Sequence, residues 1–180
     1  GHERASALHA VAKARTPRYH AGMFSPLDGR LFGEGQPCFG CGPDHPHGFR
    51  LVFSREDDEV VTTFTPGVHH QGPPGIMHGG LVATLADEVA AWSVIALLSK
   101  FGFTGSFGGK LHKPVRIGRP VVARGRISKG GTRVVESAVR LTQDDVEVFT
   151  GDFRFVLLDR AGAERILGGP IPEAWEPFCR

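Results

Sequence analysis

Residues 79–98 constrain this chain more than any other segment. They read Gly-Gly-Leu-Val-Ala-Thr-Leu-Ala-Asp-Glu-Val-Ala-Ala-Trp-Ser-Val-Ile-Ala-Leu-Leu, with no proline and no charge except Asp87 and Glu88. Alanine and leucine favour helix. A helix that is apolar nearly all round belongs inside a fold, not on its surface. About 20 apolar residues would also cross a bilayer. Two adjacent acids at the centre would each cost about 2.5–3.5 kcal/mol there, so the segment reads as a core helix and no membrane partner is expected.

A buried helix needs a cover, and the flanking sequence offers strands. Residues 49–53 and 60–64 are runs of β-formers joined by the polar stretch 54–59, which suits a hairpin. After the helix, strand-like runs cover 110–117, 121–128, 133–142 and 146–158, separated by Gly118-Arg119-Pro120, Gly130-Gly131 and Asp144-Asp145. Two strands, one buried helix and four strands predict an α+β fold with an antiparallel sheet packed on the helix. With 180 residues in all, the chain divides into an extension (1–46), one domain (47–160) and a tail (161–180). Dense glycine and proline mark the extension as loop after a short helix over 3–14, and three prolines mark the tail. No apolar run in the first thirty residues suggests a signal peptide. Three cysteines are too few and odd in number for a disulfide scaffold, which points to a reducing, cytoplasmic setting.

On a helical wheel Leu81, Leu85, Val89, Trp92 and Ala96 form one apolar stripe. Asp87 points elsewhere, among Ala83, Ala90, Ala91 and Val94. A carboxylate in such company is desolvated or faces a cavity, and either makes it a better base near neutral pH. Service to the helix dipole explains it less well, because Asp87 lies about two turns in. Glu88 falls near Thr84, Trp92 and Ile95 and reads as a structural hydrogen-bonder or a subunit contact. Immediately before the helix stands His78-Gly79-Gly80. Free N–H groups at a helix start can hold an oxyanion; the glycines would equally serve a tight entry turn, but a buried acid about two turns along the same helix favours the oxyanion site.

Charge is uneven. Residues 89–135 contain no acid but nine of the 21 basic residues, so an anionic partner is expected unless this is a solvated sheet face. Nucleic acid, an acidic carrier protein and the coenzyme A tail all carry the right charge. Thin aromatic interleaving argues against nucleic acid.

The segment Gln71-Gly72-Pro73-Pro74-Gly75-Ile76-Met77-His78-Gly79-Gly80-Leu81-Val82-Ala83-Thr84-Leu85-Ala86-Asp87-Glu88 resembles the hallmark segment of hotdog-fold acyl-CoA thioesterases of the phenylacetate-pathway type, within the 4-hydroxybenzoyl-CoA thioesterase superfamily. Lys113-Pro114-Val115-Arg116-Ile117-Gly118 resembles that family's Pro-Val-x-x-Gly strand end. The resemblance covers residues 48 to 158. It implies a curved antiparallel sheet around the helix and a homodimer, often paired into a homotetramer, with active sites at the subunit interface. It implies an acyl-CoA substrate and no cofactor. Asp87 would be the general base or nucleophile, and Gly79 the oxyanion donor. His78 would shape the site, and Gly80 would lie against the substrate. Thr104 would touch the water or the acid, and Lys113 and Arg116 would meet the coenzyme A phosphates. Several relatives carry an Asn at the position of Gly72; here the neighbouring Gln71 would substitute. Ala83, Ala90, Ala91 and Trp92 would border the acyl tunnel.

Cys38-x-x-Cys41, with His45 and His47 downstream, has the composition of a Cys₂His₂ zinc site but spacing too tight for a zinc finger. The same stretch resembles a leader loop found before the first strand in some hotdog proteins, so no metal is assigned. His69, His70 and His78 likewise receive none. Cys179 reads as a free thiol. Thioester hydrolysis leads the functional readings; a non-catalytic acyl-CoA-binding module and a hydroxyacyl-thioester dehydratase are the alternatives. The first lacks the expected DNA-binding segment and the second its His-Phe-Pro loop.

Overall fold

The computed structural model describes residues 27–179; the expected helix over 3–14 lies outside them. The long helix α1 (Gly79–Leu98) has the bounds read from the sequence. His78 caps its start by accepting the Gly80 N–H at Nδ1 (3.0 Å), and Ser99 ends it in a left-handed conformation. It is the one described helix long and apolar enough to cross a membrane, yet it packs against the sheet described next.

Six strands form one antiparallel sheet: β1 (Ser54–Glu56), β2 (Glu59–Phe64), β3 (Gly102–Leu111), β4 (Val121–Lys129), β5 (Val134–Gln143) and β6 (Val146–Leu157). Their order is β1-β2-β4-β5-β6-β3. Alternation of side chains by strand turns Val121 and Ala123, Val135, Val139 and Leu141, and Phe149, Phe153 and Phe155 into the core. Gly125 sits where α1 crosses β4. A Cβ there would stand 2.5 Å from Ser93 Oγ and 3.0 Å from the Val89 carbonyl, so the helix closes on the sheet only over glycine.

Two strands differ from expectation. The run 49–53 is not half of the hairpin; β1 is the polar Ser54–Glu56. Phe49, Leu51 and Phe53 are buried, and their N–H groups bond the carbonyls of Phe39, Gly40 and Leu27. Their β-propensity is thus used against the N-terminal segment. The strand expected over 110–117 is in fact Gly102–Leu111. Four glycines hide it from propensity, and pairing along β6 overrides them. Pro114 lies beyond its end.

The flanking segments form part of the core. Phe32 packs edge-on to Trp92, Phe101 and Trp175 at 5.7–5.8 Å and lies 5.4 Å from Phe178. The tail contains helix α2 (Arg160–Leu167), capped by Asp159 at its start and Gly168 at its end.

Candidate active site

Asp87 is half-buried on α1, and Thr104 Oγ1 of β3 donates to its Oδ1 at 2.7 Å. Desolvation holds the Asp87 pKa above the ordinary carboxylate range, and the Thr104 bond works against that rise. A bulge between Thr104 and Ser106 interrupts the β3–β6 register just past this contact. Sequence reasoning paired these two residues only through the family resemblance, because 17 positions separate them.

At the helix start, Gly80 N–H is spent on His78 Nδ1, whereas Gly79 N–H has no hydrogen-bond partner among the described residues. Gly79 opens onto a groove of about 350 Å³ shared with Pro73, Ile76, Leu111, His112 and Lys113. Gln71 is exposed, and its Oε1 accepts from Gly75 N–H at 3.0 Å, which closes its own loop. A side chain at Gly72 would meet the His78 ring at 3.3 Å. His70 Nδ1 accepts from Gly67 N–H.

Lys113 and Arg116 are both exposed, but only Lys113 lines the helix-start groove. The acid-free stretch is not acid-free in space. Arg124 pairs with Glu56 and Glu59, Arg119 with Asp144 and Lys129 with Glu136. Antiparallel pairing brings these acids in from other strands and turns. Lys110, Arg124, Arg126 and Arg140 line a separate groove of about 490 Å³ on the sheet. Trp92 does not border an acyl tunnel: it is 1% exposed and stacked on Phe53 at 4.8 Å.

Glu88 shows a relationship missed in the sequence. Cys38 Sγ donates to its Oε1 at 3.2 Å. Burial, with the nearby Cys38, pushes the Glu88 carboxyl up to about 8. The hydrogen bond from Cys41 holds the Cys38 thiol down to about 5, and the same bond holds Cys41 well up. Glu88 lies 50 positions from Cys38, so only the fold could reveal the contact.

One curved antiparallel sheet around one helix that carries a half-buried acid defines a hotdog domain. Residues 74–150 match the Thioesterase superfamily. Over those residues this domain is similar to the hotdog-fold thioesterases. Among curated proteins, the chain is 26% identical over 101 residues to acyl-coenzyme A thioesterase THEM4 of Xenopus laevis, covering 56% of this chain and 45% of the relative. It is 25% identical over 113 residues to THEM4 of Rattus norvegicus, covering 62% and 48%. The chain thus spans just under half the length of these relatives. Among solved structures, a hypothetical thioesterase with coenzyme A from Streptococcus pneumoniae aligns with a TM-score of 0.56 at 21% identity, covering 59% of this chain and 87% of that one. Thioesterase superfamily member 2 of Mus musculus aligns with a TM-score of 0.53 at 23% identity, covering 59% and 79%.

Proposed function

We propose that this protein hydrolyses acyl-CoA thioesters to free acid and coenzyme A, with Asp87 as the base and Gly79 N–H as the oxyanion donor. The observation that carries the reading is a half-buried carboxylate, oriented by Thr104, on a helix whose first N–H is unspent. The acyl-CoA thioesterase THEM4 relatives support the reaction class.

Helix geometry adds a condition. Gly79 and Asp87 are eight residues apart, about 12 Å at ~1.5 Å per residue. One thioester carbonyl cannot touch both groups of one helix. Two copies, each lending one group to the other's site, remove the mismatch. Strand β3 supplies a place to meet: it ends the sheet, has ten residues, and exposes Phe103, Phe107 and Leu111. A long apolar edge is a template for a second chain. We therefore read the working unit as a homodimer at least.

In this reading water attacks the carbonyl carbon and Asp87 takes its proton. The carbonyl oxygen becomes an oxyanion held by Gly79 N–H. The C–S bond then breaks, the sulfur leaves with the electron pair, and the proton held on Asp87 passes to it. Lys113, in the groove with Gly79, meets a phosphate of the coenzyme. His78 caps the helix that presents Gly79, and Gln71 shapes the preceding loop. Three free cysteines fit a cytoplasmic setting. The test is thiol release from a panel of straight-chain, phenylacetyl and hydroxybenzoyl CoA esters, with Asp87→Ala alongside. Turnover that survives in the variant overturns the mechanism; no turnover on any ester overturns the function.

A further inference from the structure

The loop Cys38-Phe39-Gly40-Cys41-Gly42 lies over the helix face that carries Glu88. Cys38 Sγ, Cys41 Sγ and a Glu88 carboxylate oxygen all fall within 4.8 Å of one another. Gly42 N–H closes the turn on the Cys38 carbonyl at 2.9 Å. Gly40 has no Cβ because one would stand 2.1 Å from Glu88 Cγ and Cδ. The loop is therefore shaped to close directly over the carboxylate.

Three acidic groups, two thiols and a carboxyl, converge here. A buried carboxyl either stays protonated or takes a cation as partner. Two sulfurs and one oxygen in a tight cluster select a borderline-soft divalent ion over magnesium or calcium.

We propose that Cys38, Cys41 and Glu88 form a binding site for a divalent transition-metal ion, Zn²⁺ in the first instance, which clips the N-terminal loop to helix α1. Metal–sulfur bonds form as the thiol protons leave to solvent. Three protein ligands leave one tetrahedral position for water or an added ligand. The downstream histidines are not ligands. His45 Nδ1 accepts from His47 N–H at 3.2 Å and its ring packs on Phe39, while His47 is exposed. The site is independent of the hydrolytic reading.

The test is a Co²⁺ titration of the reduced, chelator-treated full chain. We expect thiolate-to-cobalt charge-transfer absorption and tetrahedral d–d bands that saturate at a single equivalent and disappear on Zn²⁺ addition. Cys38→Ser and Cys41→Ser should each lose or halve the charge-transfer band. Glu88→Gln should keep the band but bind at least about tenfold more weakly. His45→Ala/His47→Ala should bind like wild type. No charge-transfer band from the reduced wild-type protein at saturating Co²⁺ overturns the site, and this arm does not depend on any variant folding. An undiminished band in Cys38→Ser, or unchanged affinity in Glu88→Gln, overturns the ligand set.

Discussion

Thr104 Oγ1 reaches across the helix–sheet boundary to donate a 2.7 Å hydrogen bond to Asp87 Oδ1. The bond restrains the carboxylate by attachment to the edge strand. It also moderates the effect of burial on Asp87, since a donor favours the charged form. Replacing Thr104 with Val removes the donor and keeps the shape. The acidic limb of the kcat/KM–pH profile should then move to higher pH, because the base must be ionised to act. An unmoved limb would mean that Asp87 is not the group that titrates.

Asp87→Asn should lower hydrolysis roughly 10²–10⁴-fold, the usual contribution of a positioned base. Its effect on stability should run the other way. Burial raises the folded-state pKa of Asp87, so folding favours the protonated form and stability is lost as pH rises through that pKa. Asparagine stays neutral and can still accept from Thr104. Thermal unfolding at pH 7 should therefore occur at the wild-type temperature or above it. A clear loss of stability would show that the carboxylate is structurally required.

Gly79→Pro removes the proposed oxyanion donor with little strain. Proline is well tolerated at a first helical position. His78, at φ −59° and ψ 132°, already has the extended conformation that precedes proline. A Cβ at Gly79 would make only an ordinary 3.7 Å contact with Leu111. The variant should fold, bind ester and turn over slowly. Mixed with Asp87→Ala under subunit exchange, it should recover activity that neither has alone, because a hybrid dimer holds one intact site. No recovery despite proven exchange would place both groups on one protomer's site.

Phe32 is 7% exposed and joins four aromatic side chains from α1, β3's approach and the C-terminal segment. Phe32→Ala should cost about 3–5 kcal/mol in denaturant unfolding. A change under about 1 kcal/mol would show that residues 27–53 are not part of the cooperative unit.

Gly125→Ala drives a methyl group into Ser93 and Val89. Overpacking of this kind costs about 1–3 kcal/mol. The Ser93→Ala, Gly125→Ala double variant should recover part of that loss, measured by the same unfolding transition.

What could be read from the sequence followed from local chemistry. Helix α1 was legible residue for residue, because twenty mostly apolar, proline-free positions between His78 and Ser99 favour one conformation. The unusual environment of Asp87 was legible from its alanine neighbours, and the unspent N–H of Gly79 from its place at a helix start. The strands β2, β4, β5 and β6 announced themselves through β-branched runs between turns. Tertiary structure decided what depends on distant partners. The glycine-rich β3 is a strand only because β6 pairs with it, and 49–53 serve the N-terminal segment only because its carbonyls are there to accept. Arg124 loses its free charge to acids some 65 positions away, and Cys38 meets Glu88 across 50. Composition and periodicity describe a residue's own preference. Pairing, burial and charge balance belong to the contacts that folding creates, and those are not properties of any one stretch of chain.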